Sequence, residues 1–139
     1  PLGNLTSQLF CNIYMNKLDQ FMKHKLKAEH YLRYSDDFVI LSESKEKLKN
    51  HLPQIAEFLK NELKLSLHPD KIFVKSIAAG MDFLGWIHFP NHRVLRTTTK
   101  KRMFRRIEEN DKPETLESYL GLLRHGDTYK LRCELLKSV

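Results

Sequence analysis

At 139 residues the chain has room for one domain, or for two small subdomains sharing a core. Hydrophobic residues make up 41% and charged residues 29%, an ordinary globular balance, and no run has the apolar length of a membrane span. Lys and Arg number 24 against 17 Asp and Glu, and the net charge of +7 favours a polyanionic partner, with nucleic acid first among them. Cys11 and Cys133 are not in a CxxC pair, which argues against a zinc site; free thiols fit a reducing, cytoplasmic setting. The opening PLGNLTSQ lacks the basic and apolar regions of a signal peptide. It begins at Pro1 in what reads as the middle of a motif, so a fragment of a longer protein is expected.

In chain order, residues 5–27 carry Leu5, Leu9, Ile13, Leu18 and Met22 at helical spacing, with Thr6 or Ser7 as the cap and a basic KHKLK end suited to a helix C-terminus. Residues 30–42, HYLRYSDDFVILS, read as strand, tight turn, strand. Ser44 is the expected N-cap of a second helix through Leu48, Leu52, Ile55, Leu59 and Leu63, with Pro53 as an internal flaw. The alternation of Leu63, Leu65 and Leu67 predicts a strand, Pro69-Asp70 a turn, and residues 71–77 another strand. Residues 81–89, MDFLGWIHF, predict a strand with a central Gly85 that pairs through a Pro90-Asn91 turn with Arg93-Val94-Leu95. From Thr97 the pattern turns helical. A capped helix with a basic first half is expected over TTTKKRMFRRIEEN, then helices over residues 115–123 and 127–138. The natural boundary lies near residues 95–97, giving an α+β part over 1–95 and a helical part over 96–139.

The most informative string is Tyr34-Ser35-Asp36-Asp37. Asp is common in turns, yet two adjacent carboxylates repel unless something positive joins them, and divalent cations do so where the chemistry is phosphoryl transfer. A glycine-led helix start, the YSDD hairpin, a helix, LHPDK and an FLGW hairpin follow one another in the order found in the palm of a reverse transcriptase, and the chain resembles that family over about residues 1–95. SYLGLLRHGDTYKL is similar to thumb helices of bacterial members. The implied fold is α+β, a partial polymerase palm (an antiparallel sheet packed on helices) followed by a small helical thumb-like subdomain. Where group II intron and retroviral relatives show QGxxxSP, this chain has Leu2, Gly3 and Gln8 in a GxxxSQ string, similar to reverse transcriptases of diversity-generating retroelements.

The resemblance implies RNA-directed DNA synthesis from a template RNA and DNA primer with deoxynucleoside triphosphates. Asp36 and Asp37 would be metal ligands and catalytic residues for Mg²⁺, or Mn²⁺ in its place, with Asp36 the more important. The third palm carboxylate is expected upstream of residue 1; Asp19, Asp70 and Asp82 are poor substitutes, and the 139 residues alone are expected to be inactive. Lys71 of LHPDK matches a lysine proposed to protonate leaving pyrophosphate. Leu2, Gly3, Gln8 and Tyr34 would border the nucleotide and template, Gly3 because it lacks a side chain. Phe83, Leu84, Gly85 and Trp86 resemble the hairpin that grips the primer, although Phe83 and Trp86 serve equally as core. Lys100, Lys101, Arg102, Arg105 and Arg106 would track phosphates, or form a solvated face. A small basic accessory protein accompanies the diversity-generating systems, and no membrane is expected. Two alternatives stand beside this reading: a group II intron or retron-type reverse transcriptase, and a non-catalytic RNA-binding module. The seven histidines show no ligand spacing.

Overall fold

Met15, Leu18 and Met22 recur at helical spacing, and their burial organises the first helix, α1, Leu5–Gln20, which widens into a π-helical turn over Phe21–Lys25. The computed structural model describes residues 5–110 and 112–137, and the chain divides into two compact units, Pro1–Val74 and Lys75–Val139. The boundary between units falls ahead of the change in sequence character near residues 95–97. Five α-helices and two small antiparallel sheets make the described residues a mixed α+β fold.

In the first unit, β1 (His30–Tyr34) and β2 (Asp37–Leu41) form the expected hairpin, with Tyr34 opposite Asp37 and Tyr31 opposite Ile40. Helix α2, Lys45–Leu63, starts at Ser44, whose hydroxyl accepts from the Lys47 N–H. It runs unbroken through Pro53, which sits at an exposed position. Ile55, Leu59 and Leu63 of α2 meet Met15, Leu18 and Met22 in one core, with Tyr31, Phe38 and Ile40 packed on it from the hairpin. Phe21 stacks on Phe58 with ring centroids 4.1 Å apart. The expected α1 stripe is thus corrected: Leu9 and Ile13 are exposed together with Phe10 and Tyr14, and Met15 takes the buried position. Thr6 and Ser7 lie inside the first turn of α1, not ahead of it.

No strand forms over residues 63–67 or 71–77. Leu63 belongs to α2 and is buried, and Lys64 turns the chain in the left-handed region. The rest holds two 3₁₀ turns, Pro69–Lys71 and Ile77–Ala79, joined by irregular backbone without a ladder partner among the described residues. Alternation needs a neighbouring strand to become a sheet, and Phe73 remains exposed.

In the second unit the expected hairpin is a three-stranded meander: β3 (Met81–Phe83), β4 (Trp86–His88) and β5 (Arg93–Leu95). MDFLGWIHF is therefore two strands, not one. Leu84 and Gly85 both have positive φ, the pattern of a type I′ turn, whose twist matches that of paired strands. Helices α3 (Thr97–Glu109), α4 (Pro113–Leu123) and α5 (Tyr129–Lys137) bury Met103, Leu123 and Leu135 together. The expected cap of α3 is missing, because Arg96 at that position makes no capping bond.

Gly126, between α4 and α5, lies against the Trp86 ring; a Cβ there would overlap Trp86 Cζ3 and stand 2.9 Å from the Arg93 carbonyl oxygen. Gly121, inside α4, has nothing within 4 Å of its Cβ position. We therefore expect Gly126→Ala to destabilise the second unit by about 1–3 kcal/mol and Gly121→Ala to stabilise it by up to about 1 kcal/mol. Urea denaturation followed by Trp86 fluorescence checks both, and equal effects of the two changes would contradict this packing.

Candidate active site

The β1–β2 hairpin is closed by a two-residue turn, Ser35-Asp36. Ser35 has φ of 56° and Asp36 does not share the positive sign, the pattern of a type II′ turn. Strand parity sends Tyr31, Arg33, Phe38 and Ile40 towards α1 and α2, and leaves Leu32, Tyr34, Asp37 and Val39 on the open face. Asp37 therefore stands beside Tyr34 on that face, with Asp36 next to it at the tip. All three are exposed. Among the described residues neither carboxylate has an ion-pair partner. Adjacent acids with no cation between them repel each other.

The inward side of the turn is held tightly. Arg33 Nε and Nη2 donate to the two oxygens of Asp19 on α1 at 2.8 and 2.6 Å. Its Nη1 donates to the Ser35 carbonyl at 2.7 Å and to Asn12 Oδ1 at 3.2 Å. The Tyr31 hydroxyl donates to Asp19 Oδ1 at 2.8 Å, and Cys11 Sγ lies 3.2 Å from Ser35 Oγ. The Arg33 hydrogen bonds hold the Asp19 carboxyl below its ordinary value against the opposing effect of burial. Asp19 in turn raises Arg33, and burial, reinforced by Asp19, lifts Tyr31 well above the usual phenol range. Sequence reasoning missed this network. Its one signal was a cation at an inward-parity strand position, where an apolar residue is the rule.

Hard carboxylate oxygens free of protein cations suit Mg²⁺, so the donor type at Asp36 and Asp37 fits. The number does not complete a site, since no group of three His, Cys, Asp or Glu side chains is gathered for a metal among the described residues. Asp19 is bound by Arg33, and Asp82 is paired with Arg96 at 2.8 Å. Asp70 is highly exposed beside His68.

The remaining sequence-derived positions fall on separate elements of the two units. Gln8 is exposed on the first turns of α1, and Leu2 and Gly3 lie outside the described residues. Lys71 is exposed in its 3₁₀ turn. Leu84 is exposed at the tip of the second hairpin, Gly85 faces Thr99 of α3, and Phe83 is half-buried. Trp86 is 6% exposed and lies under the Arg93 guanidinium, 5.3 Å from the ring centroid, so it packs the hairpin onto the helical end of its own unit. On α3, Lys100 pairs with Glu134 and Arg105 with Glu109. Lys101, Arg102 and Arg106 have no ion-pair partner among the described residues and are exposed.

The family described as reverse transcriptase (RNA-dependent DNA polymerase) matches residues 1–88. The chain belongs to the reverse transcriptase family. It is also similar to the COX1/OXI3 intron 2 protein of Saccharomyces cerevisiae, 24% identical over 166 aligned positions that cover 80% of this chain and 19% of that protein. The chain thus spans about a fifth of the length of the curated relative it matches. The family match includes the whole first unit with its YSDD hairpin and extends to the end of β4. Among the described residues no helix is long and apolar enough to cross a membrane.

Because the Asp19 carboxyl is depressed in the folded state, its contribution to stability is complete above the unfolded value near 3.8 and is lost as pH falls through the lower folded value. The thermal midpoint of the first unit is expected to drop steeply below about pH 4 in the parent and less so in Asp19→Asn. Parallel acid limbs in the two proteins would show that the pair contributes no pH-dependent stability.

Proposed function

We propose that this reverse transcriptase chain forms the later palm and the start of the thumb of an RNA-directed DNA polymerase that extends a DNA primer on an RNA template by two-metal nucleotidyl transfer. The observation that carries this reading is a pair of exposed, unpaired carboxylates at the tip of a family-matching hairpin whose other face is pinned to a helix. Mg²⁺, or Mn²⁺, bound there would stabilise the attacking and leaving oxygens of the displacement. Asp36 is assigned as the principal ligand and Asp37 as the weaker one. Tyr34, with Leu2, Gly3 and Gln8, borders the nucleotide and template. Lys71 supplies a cation or a proton towards the leaving pyrophosphate. The hairpin of Phe83, Leu84 and Gly85, with Trp86 as its packed base, supports the primer end. Lys100, Lys101, Arg102, Arg105 and Arg106 line the path of the phosphate backbone. Two-metal chemistry needs a further carboxylate; Asp19 and Asp82 are engaged elsewhere, and on the family resemblance we assign that ligand to a strand ahead of this hairpin and outside these 139 residues.

In the complete polymerase, Asp36→Ala should reduce Mg²⁺-dependent primer extension by at least about a hundredfold, the scale lost when a single transition-state-stabilising group is removed, and Asp37→Ala by less. The purified 139-residue chain should extend no primer. Robust extension by that chain, or full activity of Asp36→Ala, would refute the assignment.

The enzyme is proposed to be an error-prone retroelement type on the strength of Leu2 and Gln8, where an apolar Leu2 removes a polar contact that a more selective pocket would use. The similarity to an intron protein supports a second reading, an intron-encoded reverse transcriptase. A small basic accessory protein belongs to the first setting only. Sequencing the products of the complete enzyme separates them: frequent errors at template adenines that fall in Leu2→Gln support the first, and accurate copying by the parent supports the second.

A further inference from the structure

We propose that Arg33 is the positioning residue of the candidate metal site: its guanidinium, locked on Asp19 of α1, fixes the Ser35 carbonyl and with it the backbone that carries Asp36 and Asp37. The proposal rests on reading those two acids as cation ligands. The side chain is 9% exposed and its donors are divided between two tasks. Nε and Nη2 form a fork on Asp19, which the Tyr31 hydroxyl also holds, and Nη1 reaches the Ser35 carbonyl at 2.7 Å. Asn12 and Asp19 lie seven residues apart, two turns along one face of α1, so the guanidinium is anchored at two points of a rigid element.

Two physical consequences follow from this arrangement. Asp19 neutralises Arg33, so a cation buried beside the turn does not cancel the negative charge that would attract a divalent ion. Ser35 occupies the left-handed region, which a non-glycine residue keeps only when its surroundings hold it, and its carbonyl and hydroxyl are held by Arg33 and Cys11. A turn fixed at Ser35 and at the start of β2 presents both acids without an ordering cost at the moment of ion binding. Lysine cannot substitute, because a point charge has no fork to engage Asp19 and Ser35 together.

The test uses the full 139-residue chain, isotope-labelled, with Mn²⁺ as the paramagnetic probe and EDTA reversal. In the parent, broadening should centre on the amides of residues 35–38 and disappear in Asp36→Ala. In Arg33→Lys the Mn²⁺ concentration for half-broadening should rise about tenfold, the scale set by loss of a group that orients ligands, and the order parameters of Ser35 and Asp36 should fall below about 0.6. Asp19→Asn, which keeps the side-chain shape, should move both readouts in the same direction. Ile55→Val in the core serves as a destabilised control that leaves both unchanged. A merely structural Arg33 would lower the thermal midpoint without moving the Mn²⁺ midpoint, and that result overturns the proposal. Absence of local broadening in the parent instead removes the two-carboxylate reading itself, and the proposal with it.

Discussion

A backbone held from elsewhere offsets the mutual repulsion of two like charges carried side by side on a short turn. Here Arg33, paired with Asp19, supplies that hold through the Ser35 carbonyl. It joins a strand to a helix across the edge of the first core, it is partly shielded from water, and among the described residues it leaves the acids of the turn without an ion-pair partner. A surface pair of the same chemistry would contribute little, as Arg105 with Glu109 on α3 illustrates, both largely exposed. The hairpin therefore divides by strand parity: inward residues pack on the helices and hold the turn, and the outward Tyr34 and Asp37 remain exposed.

The second unit solves a similar problem by packing. Its meander is too small to be stable alone, with strands of three residues. Trp86 is the one buried residue of its three strands, and the close approach of Gly126 and the Arg93 guanidinium encloses the ring. The Arg93 carbonyl also accepts from the Asp127 N–H, and Arg96 accompanies this by bridging to Asp82 and bonding to the Gly85 carbonyl. The Leu84-Gly85 tip is thereby presented on a rigid base in front of α3, whose exposed Lys101, Arg102 and Arg106 give that unit a cationic surface.

Much of this was legible from residue order. The YSDD hairpin, the Ser44 cap, the α2 stripe of Ile55, Leu59 and Leu63, and the basic helix follow from local rules of turn chemistry and periodicity, which need no knowledge of distant residues. Local rules failed where a partner was required. Leu65 and Leu67 alternate as a strand does, but no neighbouring strand pairs with them among the described residues. Leu9 and Ile13 share helical spacing with Met22, yet only the face turned to α2 is buried. By itself, then, the sequence determined the acidic turn, the helices and the family, because these depend on contiguous residues. Tertiary structure decided which strand face opens to solvent, that Trp86 is core, and that Asp19 is bound to Arg33, because each depends on groups far apart in the chain that meet only after folding.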